Sequence, residues 1–182
     1  MNHNRNSAYR QNGFTLIELI VVFTVIAILS TIGTVSFVSY SRTQNLNQAA
    51  IDLVQNLNLA KSLSASQLKI LDKNGITLRC FDYQTLNGYG IEINPSQKYY
   101  DLYLSCVGNG VTSKYTNALW QISLPKDVII SSPVNVMTIF FPVLSGGIIS
   151  TGGNSVVLQS KYSGVSQKTI NFSQGYISVT SP

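Results

Sequence analysis

The chain has 182 residues, of which 10% are charged and 45% are hydrophobic, and its net charge is +5. Soluble domains typically carry about 25% charged residues, so this composition points away from an ordinary soluble protein. Without Arg5 and Arg10 the side-chain charge falls to +3, from 10 basic minus 7 acidic residues. So weak a basic charge argues against nucleic acid as a partner.

The N-terminal region joins a polar segment to a long apolar one. Residues 1–13 are polar and contain Arg5 and Arg10, whereas Glu18 is the one charged residue in 14–38. An apolar run of this length spans the roughly 30 Å hydrocarbon core of a bilayer as a helix. Basic flanks stay in the cytoplasm, so the sequence predicts a cytoplasmic N-terminus and an exported C-terminal region.

Two simpler interpretations leave part of this pattern unexplained. A secretory signal peptide has a short apolar stretch followed by a small-residue cleavage site, and here the stretch is longer and lacks that site. A plain signal anchor gives no reason for Glu18. A carboxylate costs about 2.5–3.5 kcal/mol at the bilayer centre on insertion scales, so an intramembrane acid indicates a function and needs a partner.

The sequence Gly13-Phe14-Thr15-Leu16-Ile17-Glu18-Leu19-Ile20 resembles the cleavage and methylation motif of type IV pilins and type II secretion pseudopilins. The resemblance implies that a prepilin peptidase cuts between Gly13 and Phe14 and that the new amine of Phe14 is N-methylated. It also implies that Glu18 pairs with the N-terminal amine of a neighbouring subunit during assembly. The implied location is the bacterial inner membrane, crossed once, and then a filament. The implied partners are other pilins or pseudopilins and an inner-membrane assembly platform.

The helical pattern continues beyond the apolar run. Apolar residues recur at steps of three and four: Leu46, Ala49, Ala50, Leu53, Leu57, Ala60 and Leu68. The pair Asn74-Gly75 is a typical C-terminal stop. The sequence therefore predicts one helix from Phe14 to about Leu71, and it divides the chain into a leader (1–13), a transmembrane helix half (14–38), an amphipathic helix half (39–74) and a β-rich domain (75–182).

Short apolar segments separated by turn signals follow residue 75, without the alternation of strand and helix that parallel sheets require. The predicted strands are Ile76–Phe81, Tyr89–Ile93, Tyr99–Leu104, Trp120–Leu124, Val128–Ser131, Met137–Val143, Val156–Ser160, Lys168–Phe172 and Tyr176–Val179. The predicted class is α+β, with a long N-terminal α-helix packed on a C-terminal antiparallel β domain.

Several short segments are similar to minor pseudopilins of the GspH/FimT type. They are Leu57–Ala65, Asn87–Ile93, the Phe140-Phe141-Pro142 element with Gly146-Gly147, and the hairpin at Gln174-Gly175. This resemblance implies that the β domain consists of two small sheets. The two cysteines, Cys80 and Cys106, form one disulfide or remain two thiols; export favours the disulfide.

The sequence offers little for catalysis. The one histidine, His3, precedes the cleavage site, so neither a Ser-His-Asp triad nor an imidazole metal ligand is expected in the mature chain. We therefore expect no enzyme activity, no metal and no cofactor. The leading hypothesis is a structural minor pilin or pseudopilin. The alternative is a minor pilin that binds DNA for natural transformation, which would require a cluster of Arg and Lys near the C-terminus. That region offers Lys161 and Lys168, and no arginine follows Arg79.

Overall fold

The computed structural model describes residues 13–67, 70–71, 77–78, 80–81, 83–162, 167–173 and 175–181. The chain divides into two compact units, Met1–Ser39 and Tyr40–Pro182. Helix α1 (Leu16–Ser66) contributes residues to both. The predicted start at Phe14 is two residues early, because the backbone of residues 13–15 is not helical.

The described part of the first unit is an apolar helix with exposed side chains. Every side chain described between Leu16 and Ser39 is exposed. Its hydroxyl groups bond back to carbonyl oxygens of the same helix: Ser30 Oγ donates to Ile26 O at 2.7 Å, and Thr31 Oγ1 donates to Ile28 O at 2.7 Å. Such hydrogen bonds to the helix backbone give each hydroxyl group an acceptor in an environment without water, such as the interior of a bilayer.

In the second unit, α1 buries one face against the β domain. The buried positions repeat at steps of three and four: Leu46, Ala49, Ala50, Leu53, Leu57, Ala60, Leu63 and Ser64. The helix ends at Ser66, because Gln67 adopts a left-handed conformation with φ of 51°. The predicted end near Leu71 is wrong, since Ile70–Leu71 forms a short strand instead. The predicted stop at Asn74-Gly75 lies outside the described residues.

The strands that follow α1 in the described part of the chain are β1 (Ile70–Leu71), β2 (Thr77–Leu78), β3 (Thr85–Ile93), β4 (Tyr99–Gly108), β5 (Val111–Ser123), β6 (Val128–Ser132), β7 (Met137–Pro142), β8 (Ile149–Thr151), β9 (Ser155–Ser160), β10 (Lys168–Ser173) and β11 (Tyr176–Thr180). They form a five-stranded sheet in the order β5-β4-β3-β7-β8, a four-stranded sheet in the order β11-β10-β9-β6, and the pair β1-β2. All pairings are antiparallel. The predicted α+β class, with a long helix on two antiparallel sheets, is confirmed.

Eight of the nine predicted strands coincide with observed strands or with part of one. None of these eight extends more than one residue beyond the observed strand. The exception is Ile76–Phe81: among its described residues, Thr77–Leu78 forms a strand and Cys80 and Phe81 do not. Phe81 instead begins a turn in which Gln84 N donates to Phe81 O at 2.7 Å. Strand β8 was not predicted, because it is only 3 residues long.

One hydrophobic core joins the buried face of α1 to both sheets. From the five-stranded sheet, alternate residues of β3 point inward, among them Tyr89, Ile91 and Ile93, each at most 1% exposed. From the four-stranded sheet, Leu158 and Phe172 enter the same core. In β7 the alternation is complete, since Met137, Ile139 and Phe141 are buried and the residues between them are half-buried.

Candidate functional site: the start of helix α1

The junction between Gly13 and Phe14 is accessible. Both residues precede α1 and have no regular secondary structure, and the Phe14 side chain is 80% exposed. A Cβ built on Gly13 would have no described atom within 4 Å. A protease that cuts here would therefore meet an open, non-helical peptide bond directly before the helix.

Thr15 and Glu18 cap the first turn of α1 reciprocally. The Glu18 backbone N–H donates to Thr15 Oγ1 at 3.3 Å, and the Thr15 backbone N–H donates to Glu18 Oε2 at 3.5 Å. Thr15 O accepts the first helical hydrogen bond, from Leu19 N at 3.2 Å. This is a capping box, in which the first and fourth residues satisfy backbone donors that the helix leaves without partners.

The carboxylate of Glu18 is well placed electrostatically and poorly placed for solvation in a bilayer. The N-terminus of a helix carries a partial positive charge, which favours an acidic side chain in the first turn. The next residues are apolar and exposed: Leu19 is 49% and Phe23 62% exposed. Glu18 is thus a single negative charge at the head of an apolar helix, and it retains lone pairs for a further donor.

The two cysteines are joined in the β domain. Cys80 and Cys106 form a disulfide with a Cα–Cα distance of 5.6 Å. Cys106 lies in β4 and is fully buried, whereas Cys80 is half-buried and comes before the turn at Phe81. The bridge therefore connects the segment before β3 to the C-terminal part of β4.

Candidate metal ligands do not cluster among the described residues. No group of three or more His, Cys, Asp or Glu residues in the described ranges is placed to hold a metal ion. The sequence analysis missed Thr15 as the partner of Glu18, although the spacing Thr-x-x-Glu before an apolar run is the sequence signal of a capping box.

Helix α1 is, among the described residues, one helix long and apolar enough to cross a membrane. Its position near the N-terminus and its exposed apolar side chains fit a single-pass, membrane-anchored protein.

Comparison with known proteins gives one finding. Residues 9–34 match the family described as the prokaryotic N-terminal methylation motif. No curated protein and no solved structure matches the chain. The motif supports a type IV pilin-like family, and such a family is structural rather than enzymatic.

Proposed function

We propose that this chain is a minor pilin or pseudopilin that joins or primes a type IV pilus or a type II secretion pseudopilus. A prepilin peptidase removes residues 1–13, and the mature chain begins with an N-methylated Phe14. The helix then holds the subunit in the inner membrane, with the β domain on the far side, until an assembly platform passes it to the filament.

One observation supports this proposal: the exposed Gly13-Phe14 junction, the capped Glu18 and the apolar helix follow one another without interruption. A cut at this position leaves the membrane helix intact, unlike removal of a signal peptide. It also creates a positive amine next to an apolar helix. In a bundle of such helices the amine of one subunit requires an acceptor, and Glu18 of a neighbour supplies a carboxylate at the matching depth.

Such a pair sets the axial register between subunits, because any other register leaves a charge without a partner in an apolar environment. We further propose the GspH/FimT subtype. Two of the segments that resemble it support this subtype. Ser64 lies within Leu57–Ala65 and bonds the β domain. Gly88 and Gly90 lie within Asn87–Ile93, where a Cβ would collide with Phe141 O at Gly88 and with the Tyr103 ring at Gly90.

The test is the intact mass of the protein recovered from membranes of cells with and without a prepilin peptidase. With the peptidase, we expect the mass of residues 14–182 plus one methyl group. Without it, we expect the uncut precursor in the same membrane fraction. A variant with a bulky residue at the junction, Gly13→Leu, is the matched control and should stay uncut. A mature N-terminus at any residue other than Phe14 would contradict the proposal.

A further inference from the structure

The five-stranded sheet has an open edge at β5. In the sheet order β5 is outermost, and within the described ranges no strand pairs with its other side. Its pairing with β4 is regular from Val111 to Thr116, where Thr116 is opposite Tyr103. The register then shifts, so that Gln121 is opposite Asp101. The regular part of the edge is therefore Val111–Thr116, which we call the β5 edge.

The hairpin geometry shows which backbone groups of the β5 edge face outward. The connecting residues Asn109 and Gly110 have φ of 51° and 77°, as in a two-residue type I′ turn. The residues that flank such a turn, Gly108 and Val111, bond each other. Because the hydrogen-bonding pattern alternates along the strand, the backbone N–H and C=O groups of Thr112, Lys114 and Thr116 point away from β4.

Proteins commonly protect open edges with charged side chains, proline or short strands. Lys114 is the one charged residue of the β5 edge, and its ammonium is bound elsewhere. It forms an ion pair with Glu92 and lies 4.6 Å from the ring centroid of Tyr103. Lys114 is thereby folded over the sheet, and the β5 edge carries no free charge.

An exposed aromatic surface lies beside this edge. The rings of Phe81 and Tyr83 stack with centroids 6.0 Å apart, and they are 57% and 68% exposed. Tyr115, in the β5 edge, meets Phe81 edge-on at 5.8 Å. Gln84 fixes the arrangement, because Tyr115 Oη donates to its Oε1 at 3.0 Å. The rings are thus preorganised for an apolar or aromatic side chain from outside.

The four-stranded sheet has a similar open edge at β11, which is 5 residues long and uncharged. Tyr176 is 80% and Val179 45% exposed. Ser173 and Tyr176 are paired across a two-residue connection, so the backbone groups of Ile177 and Val179 face outward. The remaining edges are less suited to pairing, since β8 has 3 residues and β6 lies between Pro125 and Pro133.

We propose that the β5 edge of one copy of this chain pairs with β11 of a second copy. The single charge on the β5 edge, Lys114, is paired with Glu92, and β11 has no charged residue. Each edge also exposes aromatic and apolar side chains, so the two edges complement each other in backbone hydrogen bonding and in chemistry. They belong to different sheets, so the contact is between unlike surfaces, and a pair of copies still has one unpaired edge of each kind. This inference rests on the proposed function and deepens it, because it identifies a contact between the exported domains of assembled subunits.

The test is site-directed cross-linking of the full-length chain in membranes. The variant Thr112→Cys/Val179→Cys, treated with a short bifunctional maleimide, should give a ladder of dimers and higher species. A mixture of the two single variants should give dimers only. The control Thr112→Cys/Ser145→Cys, with Ser145 in an exposed loop, should give neither. Dimers from Thr112→Cys alone would show β5 pairing with itself and overturn the proposal, as would the absence of any cross-link.

A backbone variant provides an independent measurement. Thr112→Pro removes an outward N–H and leaves the bonds to β4, so co-purification of two differently tagged copies should fall several-fold. Unchanged co-purification would overturn the proposal. Fluorescence of Trp120, which is buried in the core, checks that the variant is folded. Intact mass of the same sample separates the two claims: a cut after Gly13 without cross-links rejects only the pairing, and an uncut precursor with cross-links rejects only the proposed function.

Discussion

Thr15 Oγ1 lies 3.5 Å from Glu18 Oε2, within a pair of residues that bond each other's backbone at the head of α1. Glu18 therefore has a function inside its own subunit that needs its acceptor oxygens but not its charge, because glutamine serves equally well in a capping box. The proposed pairing with a neighbour's amine, in contrast, needs the charge. The two functions can be separated by substitution.

Variants at both residues of the capping box should separate these functions. We expect Glu18→Ala to abolish incorporation into filaments, because removing one member of a buried ion pair typically costs about 3–5 kcal/mol. Glu18→Gln should be impaired less, since the amide still accepts a hydrogen bond. Thr15→Ala weakens the cap by about 0.5–2 kcal/mol and retains the charge, so it should assemble nearly as the wild type does.

The measurement is the amount of each variant that co-purifies with sheared filaments, relative to its amount in the membrane fraction. All three variants should insert and be cut after Gly13, since the junction and the apolar helix are unchanged. If Thr15→Ala assembles as poorly as Glu18→Ala, capping rather than charge pairing explains the requirement for Glu18.

The disulfide should contribute substantially to the stability of the β domain. Cys80 and Cys106 are 26 residues apart. The chain-entropy model assigns roughly 3–4 kcal/mol to a loop of that length. We expect Cys80→Ala/Cys106→Ala to lower the free energy of unfolding by about this amount in urea titrations of the detergent-solubilised protein. Reductant should destabilise the wild type equally and leave the double variant unchanged; an effect of reductant on the double variant would contradict the assignment.

The strands were predictable because their chemistry is local. An antiparallel sheet with one face in the core buries every second residue, and β7 and β9 show this alternation in burial. The apolar residues that occupy the buried positions, such as Met137, Ile139 and Val156, are visible in the sequence. Turn residues such as Asn109-Gly110 mark where the chain reverses. The sequence of these segments therefore contains most of the information that places them.

The end of α1 and the Ser64 contacts were not predictable in this way. Lys69, Lys73 and Asn74-Gly75 are typical of a helix C-terminus, but the helix ends earlier, at Ser66. Its last buried residues, Leu63 and Ser64, lie one turn before that end, so tertiary contacts rather than local signals set the boundary. The hydroxyl of Ser64 bonds two strands that are distant in sequence, which no local pattern reveals.

Asp101 should make stability depend on pH. Burial, and secondarily the Glu92 carboxylate, raise the pKa of Asp101, while Gln121 and Lys114 oppose the shift. Its Oδ1 is buried and has no hydrogen-bond partner among the described residues. An acid whose pKa is raised on folding stabilises the fold below its unfolded pKa, 3.8 here, and this contribution is lost as pH rises through the folded pKa.

We therefore expect Asp101→Asn to be at least as stable as the wild type at pH 7 and to gain less when the pH is lowered toward 4. The measurement is urea unfolding across that pH range. Glu92→Gln provides a second test, because removal of the Glu92 charge should lower the pKa of Asp101 and weaken the same pH dependence of stability. A wild type that loses no stability, relative to Asp101→Asn, between pH 4 and pH 7 would refute the assignment.

Ser64 connects α1 to the five-stranded sheet through two buried hydrogen bonds. Its side chain is 1% exposed; Oγ donates to Phe141 O at 2.7 Å and accepts from Tyr89 N at 2.9 Å. These two residues are paired across β3 and β7, so one hydroxyl bonds both strands at the same level. It serves as a specific polar contact in an otherwise apolar interface.

Ser64→Ala should lower the free energy of unfolding by about 1–3 kcal/mol, because it removes both hydrogen bonds from a buried site without opening space for water. The reporter is the fluorescence of Trp120 during urea titration of the mature protein in detergent micelles. Ser62→Ala is the matched control, since Ser62 is exposed on the same helix and its substitution should change stability by less than about 0.5 kcal/mol. Equal effects of the two substitutions would mean that helix propensity, not the contact with the two strands, determines the result at Ser64.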